Sequence, residues 1–318
     1  MIDTSSLLKT LCLGTLLSLG AAPALALDAN DYQLRGGIGV IGIEAKEYVY
    51  NGSGSPDVLS LLIWQSAAPV LTAGFQVTLP DGWTFDADVQ VALAGDSYME
   101  DYDWLAPFRP SFAFNDWTHR SQHPNTNLDW FFDGRLAIGK DMQLNPDALV
   151  NLHGGFKYTD LQWTATGGSF VYSVGGFRDS SGNFAAGVDG IIYRQKLPAL
   201  FAGANAEMTY GRWGFDIGGH AGVTFLGEGV DKHLLRTPPL HFVDKLNIAP
   251  LAGAEAEVTY DTGGAAIFLK GSMEKVFLAR ADTQTYNNNT GTLLSSTANG
   301  AGGELISGTI TTGFKGDF

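Results

Sequence analysis

Two short acidic motifs carry residue types that can hold a water or move a proton. Met99-Glu100-Asp101-Tyr102-Asp103-Trp104 sets two aspartates two positions apart. In extended backbone such residues share a face and stand about 6–7 Å apart along the chain, which makes Asp101 and Asp103 a carboxylate couple. Two carboxyl groups buried together share protons, because both cannot ionise freely at close range. Asp231-Lys232-His233 repeats the spacing with an imidazole. A carboxylate beside histidine orients the ring and stabilises its protonated form, which suits the pair to general-base work. Each motif has a plainer alternative: an acidic solvated loop for the first, a chance loop pairing for the second. Among the other histidines, His220 falls mid-strand on a polar face and reads as a satisfied interior residue. His153 and His241 have no evident partner, and His119 and His123 lie in the segment 115–126.

Other chemistries find little support. The sole cysteine, Cys12, lies in an N-terminal segment expected to be removed, so no thiol nucleophile is expected in the mature chain. No Gly-x-Ser-x-Gly elbow, His-Glu-x-x-His motif or dense carboxylate loop occurs, so no metal or other cofactor is expected. Gly167-Gly168-Ser169 reads as a turn or hairpin and not as a phosphate loop. Any hydrolytic nucleophile would then be water. The net charge of −14 argues against nucleic-acid binding and favours cationic substrates.

The elements that must hold these residues are strands. Residues 1–26 read as a secretory signal: Lys9, an apolar run from Leu11 to Leu19 too short to span a bilayer, and Ala24-Leu25-Ala26 as a cleavage pattern. The remainder, 27–318, reads as one domain with period-two alternation. Trp213, Phe215, Ile217, Ala221, Val223 and Phe225 alternate with Asp216 and His220, and Trp83, Phe85, Val89 and Val91 with Thr84, Asp86, Asp88 and Gln90. Short turns at 79–82, 140–146, 210–212 and 261–264 alternate with long connections at 96–124, 166–186, 228–244 and 279–302. That asymmetry is what periplasmic turns and extracellular loops produce. Strands are expected at 32–50, 57–79, 83–95, 125–139, 147–165, 187–209, 213–227, 245–260, 264–278 and 303–318. The expected fold is all-β: a ten-stranded antiparallel transmembrane barrel with extended extracellular loops, whose last strand stops on aromatic Phe318. Several strands exceed the ~9–11 residues that cross a bilayer, so the barrel should project above it. Asn287–Thr290 and Leu293–Gly303 read as a mobile polar loop. A barrel of this size is roughly 20 Å across, and Asp101/Asp103 and Asp231/His233 fall four strands apart, nearly opposite across its mouth.

At this point the sequence resembles the omptins, outer-membrane endopeptidases of Gram-negative bacteria. The pieces that carry the resemblance are Lys46-Glu47-x-Val49-Tyr50; Met99-x-Asp101-x-Asp103-Trp104; Trp117-Thr118 with Ser121, His123-Pro124 and Thr126; Gly167-Gly168-Ser169-Phe170-x-Tyr172-Ser173 with Gly176-Phe177-Arg178-Asp179; Asp231-x-His233; and Asn287-Asn288-Asn289-Thr290 before Asn299-Gly300-Ala301-Gly302. The resemblance implies that Asp101 and Asp103 form the catalytic carboxylate couple and Asp231 and His233 the catalytic dyad. It also implies a preference for basic residues at the cut site. Glu47 matches one acid of the pocket for the residue before the cut. The second acid's position falls on Gly229, with Glu228 beside it as a substitute. His119 stands where well-known members carry an aspartate on the other side of the cut. Omptins need lipopolysaccharide, and Lys196 falls on one of its basic contact positions. Asp160 and Phe156 depart from two others.

The expected protein is thus a monomeric cell-surface endopeptidase of the outer membrane acting on cationic peptides or exposed protein loops, with its site facing outward. The alternatives are a non-enzymatic adhesin or invasin, and a porin, which would need an open lumen. Asp216, His220, Glu255, Glu257, Lys270 and Glu274 carry both charge signs and can instead close the lumen as a polar network.

Overall fold

The computed structural model describes residues 32–317. The expected signal segment and Phe318 lie outside the described residues. The strands are β1 (Tyr32–Tyr50), β2 (Val58–Leu79), β3 (Trp83–Ala92), β4 (Asp96–Asp103), β5 (His119–Asn145), β6 (Ala148–Thr166), β7 (Ser169–Tyr172), β8 (Ser180–Asn183), β9 (Asp189–Tyr210), β10 (Trp213–Thr224), β11 (Gly227–His233), β12 (Leu240–Leu246), β13 (Ala249–Asp261), β14 (Ala266–Asn287) and β15 (Leu293–Asp317). All pairings are antiparallel, and β1 closes the ring against β15 from Gln33↔Asp317 to Val49↔Ala301. β3 with β4, β10 with β11, and β12 with β13 are lower and upper segments of single wall strands. β7 and β8 form a hairpin beside β5. The wall therefore has ten strands.

The wall follows from alternation. Ile38, Val40, Leu71, Leu136, Ile217, Leu269 and Ile310 stand exposed on the outside, where lipid covers them. Trp83, Tyr210, Trp213 and Phe314 ring the end where the short turns lie. Those turns use left-handed backbone: Asp81 and Gly82 have φ 66° and 74°, and Gly211 has 62°. On the inside the odd charges find partners. Arg35 and Arg135 both reach Asp88, Lys270 reaches Glu255, Lys157 bridges Asp133 and Glu274, and His220 bonds Glu274 at 2.8 Å. His153, which has no partner evident in the sequence, bonds Asn151. Above this network the rings of Trp64, Trp163 and Tyr193, from β2, β6 and β9, stack with centroids 5.6–6.4 Å apart. With Leu62, Leu128, Phe131 and Leu161 they form an apolar layer across the lumen. The lumenal charges thus pair with one another beneath an aromatic layer.

The strands run far past the lipid. β14 has 22 residues; at ~3.3 Å each and a tilt near 40° it gains about 55 Å of height against ~30 Å of hydrocarbon. Much of what reads as long loop is therefore strand. Residues 96–103, 119–124, 227–233, 240–246, 279–287 and 293–302 continue the ladder. The segment from Leu293 to Gly303, expected as a mobile loop, lies within β15, and only a tight turn with Gly291 at φ 70° separates it from β14. Lipid-facing hydrophobicity ends there, but ladder hydrogen bonds do not depend on it.

Between the membrane part and the upper part the wall takes in extra residues. Below, Leu71 pairs with Val91; above, Ala67 pairs with Asp96. The facing strand thus advances one residue more than β2, with Ala94 at φ 61° absorbing the kink. The same happens opposite. Thr224 pairs with Ala199 and Glu228 with Lys196, with Leu226 at φ 52°. Pro69 and Pro198, which have no N–H to give, sit in the neighbouring strands at these two breaks. One inserted residue exchanges the two faces of everything after it. In β3 the even residues point inward; in β4 the odd ones do.

Candidate active site

Parity set by the bulges decides which residues enter the mouth. In β4, Met99, Asp101 and Asp103 turn inward, while Glu100 stays outside with Tyr98, Tyr102, Arg120 and Gln122. In β11, Gly229, Asp231 and His233 turn inward and Glu228 outward. The outer wall has already become polar at this height: Lys46 and Lys275 flank Glu304 on one side, and Arg194 grips Asp160 on another. The site therefore stands above the lipid belt.

Asp231 and His233 are 2% and 8% exposed. His233 Nε2 lies 2.6 Å from Asp231 Oδ2. The ring is held edge-on by Phe242, at 5.5 Å. Across the mouth, Ser60 donates to Asp101 Oδ1 at 3.2 Å. Burial, reinforced by the charge of Asp103, pushes the Asp101 carboxyl up to about 7, while the facing His233 and Arg236 oppose that shift. Burial also raises Asp103, against the opposing charges of Arg236 and His233. Asp103, Asp231 and His233 line one groove of about 420 Å³, together with Glu47, Arg236, Phe242 and Asp244. The two motifs read from spacing thus face one another across a single cleft.

Glu47 turns into the same groove and is 2% exposed. Burial, then the charges of Asp231, Asp244 and Asp101, raise its carboxyl well above the usual range. His119 sits opposite Asp103 in the ladder, on the groove side. Thr118 holds its Nδ1 at 2.9 Å and Tyr172 packs on it at 4.9 Å. Burial lowers its pKa, which favours the neutral ring.

One expectation needs correction. Glu228 does not enter the pocket: the break at Leu226 turns it to the outer face, where it pairs with Lys196 at 3.0 Å and with Lys245. Lys196 lies in that outer-face cluster, bound to the very acid expected inside. His123 is a framework residue, with Ser121 on Nε2 and the Gly167 carbonyl on Nδ1. Gly168, at φ 99°, lets the hairpin chain pass so close that a Cβ there would meet the Gln122 carbonyl. Arg178 and Asp179 tie the same loop to Trp117 and to its own backbone.

The residues that sequence reasoning missed are Asp244, Arg236, Ser60, Tyr193 and Gln195. Asp244 and Arg236 lie in the expected loop 228–244. Only the alternation of Phe242, Asp244 and Leu246 hints at an inward face there.

The Omptin family model matches residues 28–318. "Protease 7" of Escherichia coli K12 is 25% identical over 292 residues, covering 88% of each chain. "Plasminogen activator" of Yersinia pestis is 26% identical over 235 residues, 74% of this chain and 70% of that one. The crystal structure of the outer membrane protease OmpT from Escherichia coli superposes with a TM-score of 0.82 at 24% identity, covering 94% of this chain and all of that one. The chain belongs to the Omptin family and is an outer-membrane barrel.

Proposed function

We propose that this omptin is a cell-surface endopeptidase in which Asp231 and His233 activate a water opposite the Asp101–Asp103 couple. The observation that carries the reading is the shared groove: a buried carboxylate–imidazole pair on one wall and Asp103, beside the raised Asp101 carboxyl, on the other. Peptidase relatives in the family support the class of reaction.

In this reading His233 Nε2 is committed to Asp231, which leaves Nδ1 to take the proton of a water in the groove. The water oxygen attacks the scissile carbonyl carbon, and the carbonyl π pair moves onto oxygen. An Asp101–Asp103 couple carrying one proton orients the water and hydrogen-bonds the oxyanion through that proton, which the couple keeps as the tetrahedral carbon collapses. Collapse of the tetrahedral carbon breaks the C–N bond, and the His233 imidazolium protonates the departing amine. Asp231 stabilises the imidazolium meanwhile. Glu47 favours a basic side chain before the cut. The neutral His119–Tyr172 wall does not demand a second basic residue after it. The acidic surface gathers cationic peptides, and salt should weaken that capture.

A lipopolysaccharide requirement belongs to the same reading, with Lys196 among the contacts. Arg194 and Lys245 stand beside it on the outer wall. Among the described residues the ladder of the wall closes on itself without a free edge, which supports a monomer.

The test is a digest. The mature chain is refolded with lipopolysaccharide, offered a peptide library, and the cuts are mapped by mass spectrometry. Specific cuts that vanish in Asp103→Ala and His233→Ala are expected. Cuts that persist in both variants would reject the mechanism, and no cuts under any condition would favour an adhesin.

A further inference from the structure

Gly229 stands where the resemblance places the second pocket acid, yet the space around it is rich in acid. Ladder register puts Gln195, Gly229, Asp244 and Thr283 in one row across β9, β11, β12 and β14. The row sits one layer below Tyr193, Asp231 and Phe242. Glu47 approaches from β1, where it pairs with Gly303, whose own Cβ would lie 3.6 Å from the Tyr193 hydroxyl. A Cβ on Gly229 would lie 3.5 Å from both the Asp244 Cβ and that hydroxyl. Acid at 229 and acid at 244 would therefore serve the same space.

Donors are few in this space: Gln195 Nε2 is spent on the Tyr193 hydroxyl at 2.8 Å, and Thr283 bonds Asp244, yet acceptors are left over. Glu47 Oε2, Asp231 Oδ1, Asp244 Oδ1 and Gln195 Oε1 are all buried without a hydrogen-bond partner among the described residues. Their residues are 2%, 2%, 4% and 0% exposed. Four orphaned acceptors in one corner of a substrate groove are costly unless a donor arrives. Arg236 lines the groove, but its charge acts on Asp101 and Asp103 at the other wall.

We infer that Asp244, together with Glu47, forms the anionic end of a pocket that receives a basic side chain of the substrate, and that Gly229 supplies the room while Asp244 supplies the charge. The inference rests on the endopeptidase reading and names the partner of Glu47 within it. A guanidinium brings five N–H donors in a planar fork and an ammonium three, so arginine answers this set of acceptors better than lysine. Burial and the Asp231 charge, against a Thr283 hydrogen bond, push the Asp244 carboxyl up to about 7, a cost that a bound cation relieves. Asp244 does not touch the reacting atoms; it selects substrate.

The experiment uses the full refolded chain with lipopolysaccharide and matched peptides carrying arginine or its neutral isostere citrulline before the cut. Asp244→Asn keeps the shape and removes the charge. The expected result is a fall of about 100-fold in kcat/KM for the arginine peptide, with the citrulline peptide little changed. In the double variant Asp244→Ala/Gly229→Asp, the carboxylate returns from the next strand, and most of the arginine preference should return with it. A second readout does not need turnover: binding of an arginine peptide whose scissile bond is reduced to an amine, against its citrulline counterpart. Wild-type cutting at arginine with an unchanged arginine-to-citrulline ratio in Asp244→Asn would overturn the inference and leave the endopeptidase reading standing. No cutting, but arginine-selective binding that Asp244→Asn abolishes, would support the pocket and reject the endopeptidase reading. Equal wild-type binding of both reduced peptides would also overturn the inference.

Discussion

Asp231→Asn is the sharpest test of the dyad, because it changes charge and leaves volume nearly unchanged. His233 Nε2 lies 2.6 Å from Asp231 Oδ2, and the two side chains are 10% and 3% exposed. When His233 becomes an imidazolium, the two charge centres stand about 4 Å apart. At the effective dielectric of ~20 suited to such sites, their attraction is worth about 4 kcal/mol. Partial exposure of the ring trims this to about 3–4 kcal/mol, which corresponds to roughly 10²–10³-fold in rate. An asparagine amide can also donate to Nε2, which would place the ring proton on Nδ1 and block the base. We therefore expect kcat to fall by about 10³-fold with KM little changed. The assay is steady-state cleavage of a quenched fluorescent peptide, with heat-modifiable migration on gels as the check on folding. Asp231→Asn/His233→Ala should be no worse than His233→Ala alone, because the carboxylate acts only through the ring. A loss under about 10-fold, or multiplicative losses in the double variant, would refute the dyad.

Other consequences follow from the same geometry. Burial and Asp103 raise Asp101 to about 7 in the folded state, so folding favours its protonated form. Stability from this group is full below the unfolded value near 4 and is lost as pH rises through about 7. Asp101→Asn should accordingly be more stable than wild type at pH 8, by at most about 4 kcal/mol and nearer 2 after water screening, and show no advantage at pH 4; unfolding in urea at both pH values checks this. His119→Asp should shift selection after the cut toward lysine and arginine by about tenfold, read from a peptide library profile. Trp64→Ala removes a fully buried ring from the layer with Trp163 and Tyr193 and should cost about 3–5 kcal/mol, measured as a shift in the urea midpoint.

Much of this molecule was legible from its residues because two of its rules are local. Period-two alternation depends only on backbone pleat, so the lipid face at Ile217, Leu269 and Ile310 and the polar lumen at Asp88, Glu255 and Glu274 could be read directly. The short turns announced themselves through Pro80-Asp81-Gly82 and Gly211, whose backbone needs are also local. The spacing of Asp101 with Asp103 and of Asp231 with His233 ensured that each pair would share a face. It did not say which face. That was decided by single inserted residues near Ala94 and Leu226, which exchange inside for outside only relative to the strands beside them. For the same reason Glu228, a pocket acid by sequence position, faces outward to Lys196 and Lys245, while Asp244 turns in. The apolar belt also ends before the ladder does, so hydropathy mistook the upper wall for loops. The sequence by itself determined a barrel and two paired motifs; closure of the ring and its bulges brought those motifs into one groove, since register across strands is a property of neighbours and no single strand encodes it.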